Sequence, residues 1–361
     1  MIEIIEVITK KQQQEFVNFP INLYRDCSYY VPNLMLHEFS IFKNTSNDEK
    51  TVFYLAKQNG VIVGRIGAII NNLYNEKKGQ KRVRFTRFDS VNSVEVAESL
   101  FNAVESWAKQ NNMTCVHGPM GFNDLEKMGV QVSDFNKQGN LVAQYNFPYY
   151  KKLFEKCGYK SDASFMECKG FSSDGFKIKL ENDEYSNLKT INRKMLINKY
   201  KSQVFDLINE CYIPLYGAVP ITPILKDKLI NTFKFLILLD FISIIVDKND
   251  KVVGLGVAIP GIAKGLNKSK GRLLSLRAFR IAKDFIKPNY AEIFMICVHP
   301  EHKNKGVEEL IASKLLLGFK KYKIKSVNTN PIILSDYNEK LFAKFEHIKH
   351  KKRVVYYKEL N

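Results

Sequence analysis

The stretch Ala56-Lys57-Gln58-Asn59-Gly60-Val61-Ile62-Val63-Gly64-Arg65-Ile66-Gly67-Ala68-Ile69-Ile70 is nearly repeated as Val246-Asp247-Lys248-Asn249-Asp250-Lys251-Val252-Val253-Gly254-Leu255-Gly256-Val257-Ala258-Ile259-Pro260. Each copy reads as a strand, a polar Asn-centred turn, and a second strand with Gly and Ala at matching places. The offset is 254 − 64 = 190 residues, about half of the 361-residue chain. A second echo has nearly the same spacing: Lys152-Leu153-Phe154-Glu155-Lys156 returns as Lys340-Leu341-Phe342-Ala343-Lys344, an offset of 188. Two separate segments at almost one offset point to a duplicated domain.

The rest of the chain falls into two parallel runs around these copies. In the first half, hydrophobic patterning predicts a strand over Met1–Val7 and a helix over Lys10–Arg25 broken at Phe19-Pro20. It then predicts a hairpin (Val52–Gln58, Val61–Asn71), a strand over Arg82–Asp89 and a short strand over Thr114–His117. Between the last two, Ala97, Leu100, Phe101, Val104, Trp107 and Ala108 fall on one helical face. A short helix over Pro148–Lys156 ends at Gly158, and Phe165–Lys169 completes a sheet. Residues 171–200 are charged and Asn-rich and read as a connector. The order then restarts with a helix (Val204–Tyr212), a hairpin (Asp240–Val246, Lys251–Ile259) and an apolar strand (Glu292–Val298). A helix (Val307–Phe319), a strand (Lys325–Thr329), a helix (Ser335–Phe345) and a last strand (Arg353–Lys358) follow. The expected organisation is residues 1–170, a connector at 171–200, and residues 201–361, each half an α/β domain on a mixed sheet.

Bulk properties narrow the function classes. The six cysteines are scattered without a Cys-x-x-Cys pair, which fits reduced thiols in the cytoplasm and argues against a metal site. The N-terminus is acidic and strand-like, unlike a secretory leader, and the apolar run Phe235–Val246 is too short to span a bilayer. A formal net charge of +18 favours an anionic partner: a nucleotide cofactor, nucleic acid or an anionic lipid surface. A solvated lysine-rich surface accounts for the same number.

The segment with the most chemistry is Ile296-Cys297-Val298-His299-Pro300-Glu301-His302-Lys303-Asn304-Lys305-Gly306-Val307-Glu308-Glu309-Leu310. An apolar strand ends, a basic turn follows, and an amphipathic helix begins. Backbone N–H groups at a helix start attract phosphate, Lys303 and Lys305 add charge, and Gly306 allows close approach. A lysine-rich loop with a glycine for geometry is the plainer reading.

The segment resembles motif A of the GCN5-related N-acetyltransferase superfamily, a strand, then Val-x-Pro-x-x-(Arg/Gln)-x-x-Gly-x-(Gly/Ala), then a helix. Val298, Pro300, Lys303, Gly306 and Glu308 fall on its positions. Lys303 stands for Arg or Gln, and Glu308 stands where Gly or Ala is usual. The order of elements resembles that fold in each half, and the repeat resembles its tandem-domain members. The resemblance implies an acyl-CoA co-substrate, acetyl-CoA or a longer acyl-CoA, held by Ile296, Cys297, Val298, Lys303, Asn304, Lys305, Gly306, Val307 and Glu308. It also implies that backbone groups of Ile296–Val298 bond the pantetheine in a gap between splayed strands. The equivalent first-half stretch, Phe85–Glu95, has no glycine. Its helix opens with Glu95 and Glu98, so that half reads as degenerate.

Acyl transfer to an amine needs the amine neutral and a proton for the leaving thiolate. The resemblance implies a Tyr acid where Phe154 and Phe342 stand, so the usual hydroxyl is missing from both copies. Tyr337, one turn earlier, is a substitute. Glu292, on a strand resembling the one that carries the base in histone-acetyltransferase members, is the candidate base. The expected function is an acyl-CoA-dependent N-acyltransferase for a small-molecule or lipid amine. Two alternatives stand beside it. Peptidoglycan-bridge aminoacyltransferases resemble tandem acetyltransferase domains and use aminoacyl-tRNA. No helical arm insertion typical of them is apparent, so nucleic acid is not the favoured partner. A basic, amphipathic stretch over residues 264–287 suggests an anionic membrane surface or, equally, a solvated helix.

Overall fold

A computed structural model describes all residues except 44–47, 124–125, 172–187, 192–197, 234–235, 274–277 and 334–346. The elements run β1 (Ile2–Glu6), α1 (Lys10–Leu23), α2 (Met35–Ser40), β2 (Glu49–Gln58), β3 (Val61–Asn71), α3 (Asn72–Lys78), β4 (Arg82–Ser90), α4 (Val94–Gln110), β5 (Cys115–Gly118), β6 (Val130–Gln131), α5 (Tyr150–Lys156) and β7 (Lys160–Phe171). They continue with β8 (Lys189–Ile191), α6 (Lys201–Tyr212), α7 (Pro223–Phe233), β9 (Ile242–Val246), β10 (Val252–Pro260), α8 (Ala263–Ser269), α9 (Phe279–Ile286), β11 (Tyr290–Val298), α10 (Val307–Lys321), β12 (Ser326–Thr329) and β13 (His347–Glu359). The helix expected at Ser335–Phe345 lies outside the described residues, as does most of the connector expected at 171–200.

The chain forms two compact units. One contains Met1–Met166, Ala263–Ile281 and His350–Asn361; the other contains Glu167–Ile262 and Ala282–Lys349. In the first unit, β1, β2, β3 and β4 are successive antiparallel neighbours, β4 and β5 are parallel, and β13 lies antiparallel to β5. In the second unit, β8, β9, β10 and β11 are successive antiparallel neighbours, β11 and β12 are parallel, and the end of β7 lies antiparallel to β12. The two pairing patterns match strand for strand. In each, the closing strand comes from the other half of the chain.

The repeated glycines explain themselves in this frame. A Cβ on Gly64 of β3 would lie 2.8 Å from Leu100 Cδ1 and 3.0 Å from Val96 Cγ1, both on α4. A Cβ on Gly254 of β10 would lie 2.5 Å from Val307 Cγ1, and one on Gly256 would lie 2.4 Å from Ile311 Cγ2, both on α10. The helix that follows the fourth strand of each repeat packs directly on backbone, and only a missing side chain permits this. Around these contacts sit the two cores. Val96, Leu100, Phe101 and Val104 pack on Phe85, Phe88 and Phe154 in the first unit. Val307, Ile311, Leu315 and Phe319 pack on Phe241, Ile245 and Val253 in the second.

Helix α1 corrects an expectation. Its N-terminus is fixed by a capping box between Thr9 and Gln12, but it runs through Pro20 without a break. Proline cannot donate to the carbonyl four residues earlier. That carbonyl, Phe16 O, accepts instead from the buried Arg65 guanidinium at 2.9 Å, so the helix keeps its course.

Candidate functional site

The residues expected to form the site begin on strand β11. Opposite β10 its register runs Gly254↔Val298, Leu255↔Cys297, Gly256↔Ile296 and Val257↔Met295, then skips Phe294. His299 N–H donates to Val253 O at 2.9 Å. In an antiparallel ladder that bond makes Val298 and Ile296 non-hydrogen-bonded pairs, so their peptide groups point away from β10. On that other side, the parallel register with β12 ends at Ile293↔Thr329. The backbone ladder stops there: Phe294 O accepts the Asn330 side chain, which still joins the two chains, and further on the Val298 carbonyl accepts the Cys211 thiol of α6 at 3.3 Å.

Beyond β11 the chain makes a short 3-10 turn over Pro300–His302. Asn304 (φ 59°) and Gly306 (φ 86°) are left-handed, and α10 starts at Val307. Gly306, as N-cap, supplies no side-chain acceptor. Lys303, Asn304 and Lys305 are exposed, while Gly306, Val307 and Glu308 are buried. Glu308 folds back so that its Oε1 accepts Asn304 N–H at 3.1 Å. A carboxylate therefore already lies in the turn where the resemblance implies a diphosphate. At the start of the turn, His299 Nε2 lies 3.1 Å from Glu210. Burial, with His299 and Lys305 nearby, holds the His302 imidazole below its usual value.

Glu292 is 1 % exposed, not a solvated carboxylate at a strand start. It lies opposite Asn328 in the parallel register. The side-chain oxygens of Asn328 and Asn330 are shielded from solvent and accept no hydrogen bond among the described residues. The end of β12 thus offers buried acceptors beside a buried carboxylate, where the β11–β12 ladder stops. Tyr337, the substitute acid, lies outside the described residues, as does Phe342. Phe154 is a core residue stacked on Tyr356 at 5.0 Å between ring centres.

The first unit shows the same frame closed. Gly64↔Ser90 corresponds to Gly254↔Val298, and Val91 N–H donates to Val63 O at 3.0 Å as His299 does to Val253. The Ser90 peptide group also faces away from its neighbour, but it is taken on both ends. Tyr149 OH donates to Ser90 O at 2.7 Å, and Ser90 N–H donates to Tyr150 OH at 3.2 Å. Arg84 holds the place of Glu292, since Ile69↔Arg84 matches Ile259↔Glu292. It is buried over the Tyr74 ring at 4.4 Å and donates to the carbonyls of Gly121 and Phe122. The link from β4 to α4 is three residues (91–93), against eight (299–306) from β11 to α10. Its cap is internal, because the Ser93 side chain accepts Val96 N–H.

Comparison with known structures gives this frame its place. A tandem GNAT protein from the clavulanic acid biosynthesis pathway matches at TM-score 0.62 and 10 % identity, over 100 % of this chain and 99 % of that one. A GCN5-related N-acetyltransferase from Sphaerobacter thermophilus matches at TM-score 0.56 and 8 % identity, over 99 % and 96 %. A protein from Enterococcus faecalis V583, described as a probable N-acyltransferase, matches at TM-score 0.53 and 9 % identity, over 100 % and 73 %. The chain has the fold of the tandem GCN5-related N-acetyltransferase proteins. At these identities the likeness is one of fold. Protein YghO of Escherichia coli (strain K12) is 29 % identical over 155 residues, 42 % of this chain and 40 % of that protein. No family model matches the chain.

Within the tandem acetyltransferase fold, the second unit fits an acyl-CoA in one part and resists it in another. The outward peptide group of Ile296 and the outward N–H of Val298 suit an extended amide chain, and the left-handed Gly306 adds no side chain to the turn before α10. Glu308 occupies part of that turn. The sequence reading missed Asn328, Asn330 and Cys211, since nothing in Val327-Asn328-Thr329-Asn330-Pro331 marks buried acceptors. A hydrogen bond with Cys297 holds the Cys211 thiol below its usual value, and Lys303 adds to this. The loop after β5 is bound into the first unit. Glu126 lies 3.5 Å from Arg87, and Gly129 N–H donates to Pro119 O at 2.8 Å.

Proposed function

We propose that the chain is an acyl-CoA-dependent N-acyltransferase with one donor site, in its second unit. The reading rests on one observation above the others: the outward-facing peptide groups of Ile296 and Val298 lie on the same strand as the buried Glu292, where the β11–β12 ladder ends. When bound, the thioester supplies an electrophilic carbonyl. The residues of the chain do the rest. Ile296 and Val298 bond the pantetheine amides. Gly306 and the start of α10 receive the diphosphate, with Lys303 and Lys305 adding charge. Glu292 accepts the proton that the amine must lose, and the Asn328 and Asn330 oxygens orient its N–H groups. The acceptor is an amine, a small molecule or a lipid, and the acyl chain is acetyl or longer.

Thermal shift tests the donor site. Acetyl-CoA or a long-chain acyl-CoA should raise the Tm of the full chain, and Gly306→Val should abolish the rise. No shift with either ligand, or a shift that survives Gly306→Val, overturns the proposal. Once an amine acceptor is found, Glu292→Gln should lower kcat by about 100-fold or more, with donor Kd changed less than about twofold. Unchanged turnover would remove Glu292 from its role as base.

A further inference from the structure

We infer that the first unit docks on an anionic phospholipid bilayer through the surface made by α2, α8 and the start of α9. Three large apolar side chains stand out in solvent there. Leu36 is 68 % exposed, Phe279 63 % and Phe39 38 %. The elements that carry them are joined. Met35 N–H, at the start of α2, donates to Gly271 O at 3.0 Å, in the segment just after α8. Asn267 of α8 donates to Cys27 O and Tyr30 O, upstream of α2. Gly265 of α8 lies against the backbone of Ile281 in α9. The exposed apolar groups therefore stand on elements that are bonded to one another.

Its charge is of one sign. From Ala263 to Ile281, the segment that belongs to the first unit, the sequence has six Lys or Arg and no Asp or Glu. Lys264, Lys268, Lys270 and Arg272 are exposed, and Arg280 is exposed beside Phe279. The acidic residue of α2, Glu38, is buried against Arg87 and Arg65 and does not offset this field. Exposed apolar side chains flanked by cations are what an interfacial surface needs: the apolar groups enter the boundary of the acyl chains while lysines reach lipid phosphates. Nucleic acid would use the cations and an aromatic ring, but gives no place to Leu36.

The test is co-sedimentation of the full chain with vesicles of phosphatidylcholine alone and of equal parts phosphatidylcholine and phosphatidylglycerol. The chain should pellet with the anionic vesicles and stay in solution with the neutral ones. Leu36→Ser with Phe279→Ser leaves the charge unchanged and should weaken binding at least about tenfold, while Lys268→Ala with Lys270→Ala should weaken it and flatten its salt dependence. Both sites are exposed, so an unchanged melting temperature is the folding control. A Phe279→Trp variant gives a second reading, since its indole should be quenched by lipids brominated on the acyl chain. No pelleting with anionic vesicles overturns the inference. So does pelleting that ignores the loss of Leu36 and Phe279, which would be plain charge adsorption. Binding that tRNA fully competes, with no quenching of Phe279→Trp, would assign the surface to nucleic acid.

Discussion

Glu308 sets the energetics of the turn it sits in. Its carboxylate lies in the first turn of α10, where the helix dipole favours a negative charge, and it accepts Asn304 N–H at 3.1 Å. Any diphosphate entering the turn must displace that bond and share a small space with a like charge. Glu308→Gly should therefore tighten acyl-CoA binding by about tenfold, or about 1.4 kcal/mol. The same change removes a favourable dipole contact and should cost about 0.5–1 kcal/mol of stability. Affinity and stability would move in opposite directions, and calorimetric titration beside a urea melt measures both. Weaker donor binding in Glu308→Gly would mean that the carboxylate shapes the turn. The sequence announced the ingredients, since Val298, Pro300 and Gly306 fall on recognisable positions. It did not announce the bond, because that depends on Asn304 taking φ 59°, a local conformation that no spacing encodes. The Asn328 and Asn330 oxygens escaped for a related reason. Burial of a polar side chain is set by what packs over it, and a four-residue strand has too few neighbours in sequence to reveal that.

At the scale of elements, the glycine pairs separate stability from function. Gly254→Ala places a Cβ about 2.5 Å from Val307 Cγ1, and Gly64→Ala places one about 2.8 Å from Leu100 Cδ1. Each should cost about 1–3 kcal/mol through overpacking. Only the first should change donor binding, because Val307 opens the helix that begins at Gly306. A loss of acyl-CoA affinity in Gly254→Ala, with wild-type affinity in Gly64→Ala, is the expected outcome of parallel urea melts and thermal shifts. Equal losses of affinity would break the link between α10 and the donor turn. The hairpins and their following helices were legible because alternation and helical spacing reflect a buried face. Helix α1 was not fully legible. Pro20 looked like a break, and what repairs it is Arg65, forty-five residues away in sequence.

At the scale of the whole molecule, the repeated strand pairing could be read from the offset between Gly64 and Gly254, while the second echo, at Lys340–Lys344, lies outside the described residues; the exchange of closing strands could not be read. A strand's own residues fix which face is buried, not which neighbour it pairs with. The first unit also holds a buried ionic network. Arg65 lies 2.9 Å from Asp89 and 3.6 Å from Glu38, and Arg87 lies 3.1 Å from Glu38. Desolvation alone would raise the Glu38 carboxyl, but the guanidinium groups of Arg87 and Arg65 outweigh it and hold its pKa at about 2, against an ordinary 4.5. A carboxyl depressed in the folded state adds stability that is fully present above its unfolded pKa. That stability is lost as pH falls through the folded value. The window here runs from about 4.5 down to about 2, and the shift corresponds to about 3 kcal/mol. Glu38→Gln should leave the two guanidinium groups poorly matched and cost about 3–5 kcal/mol at neutral pH. It should also flatten the acid dependence across that window, since the titrating group is gone. Trp107 is the one tryptophan of the chain and sits on α4 in the first unit. Its fluorescence in urea melts at neutral and acid pH therefore follows the unit in question. A Glu38→Gln chain that loses stability with acid as steeply as the wild type would place the acid sensitivity outside this network, whose other carboxylate, Asp89, is raised rather than lowered by burial.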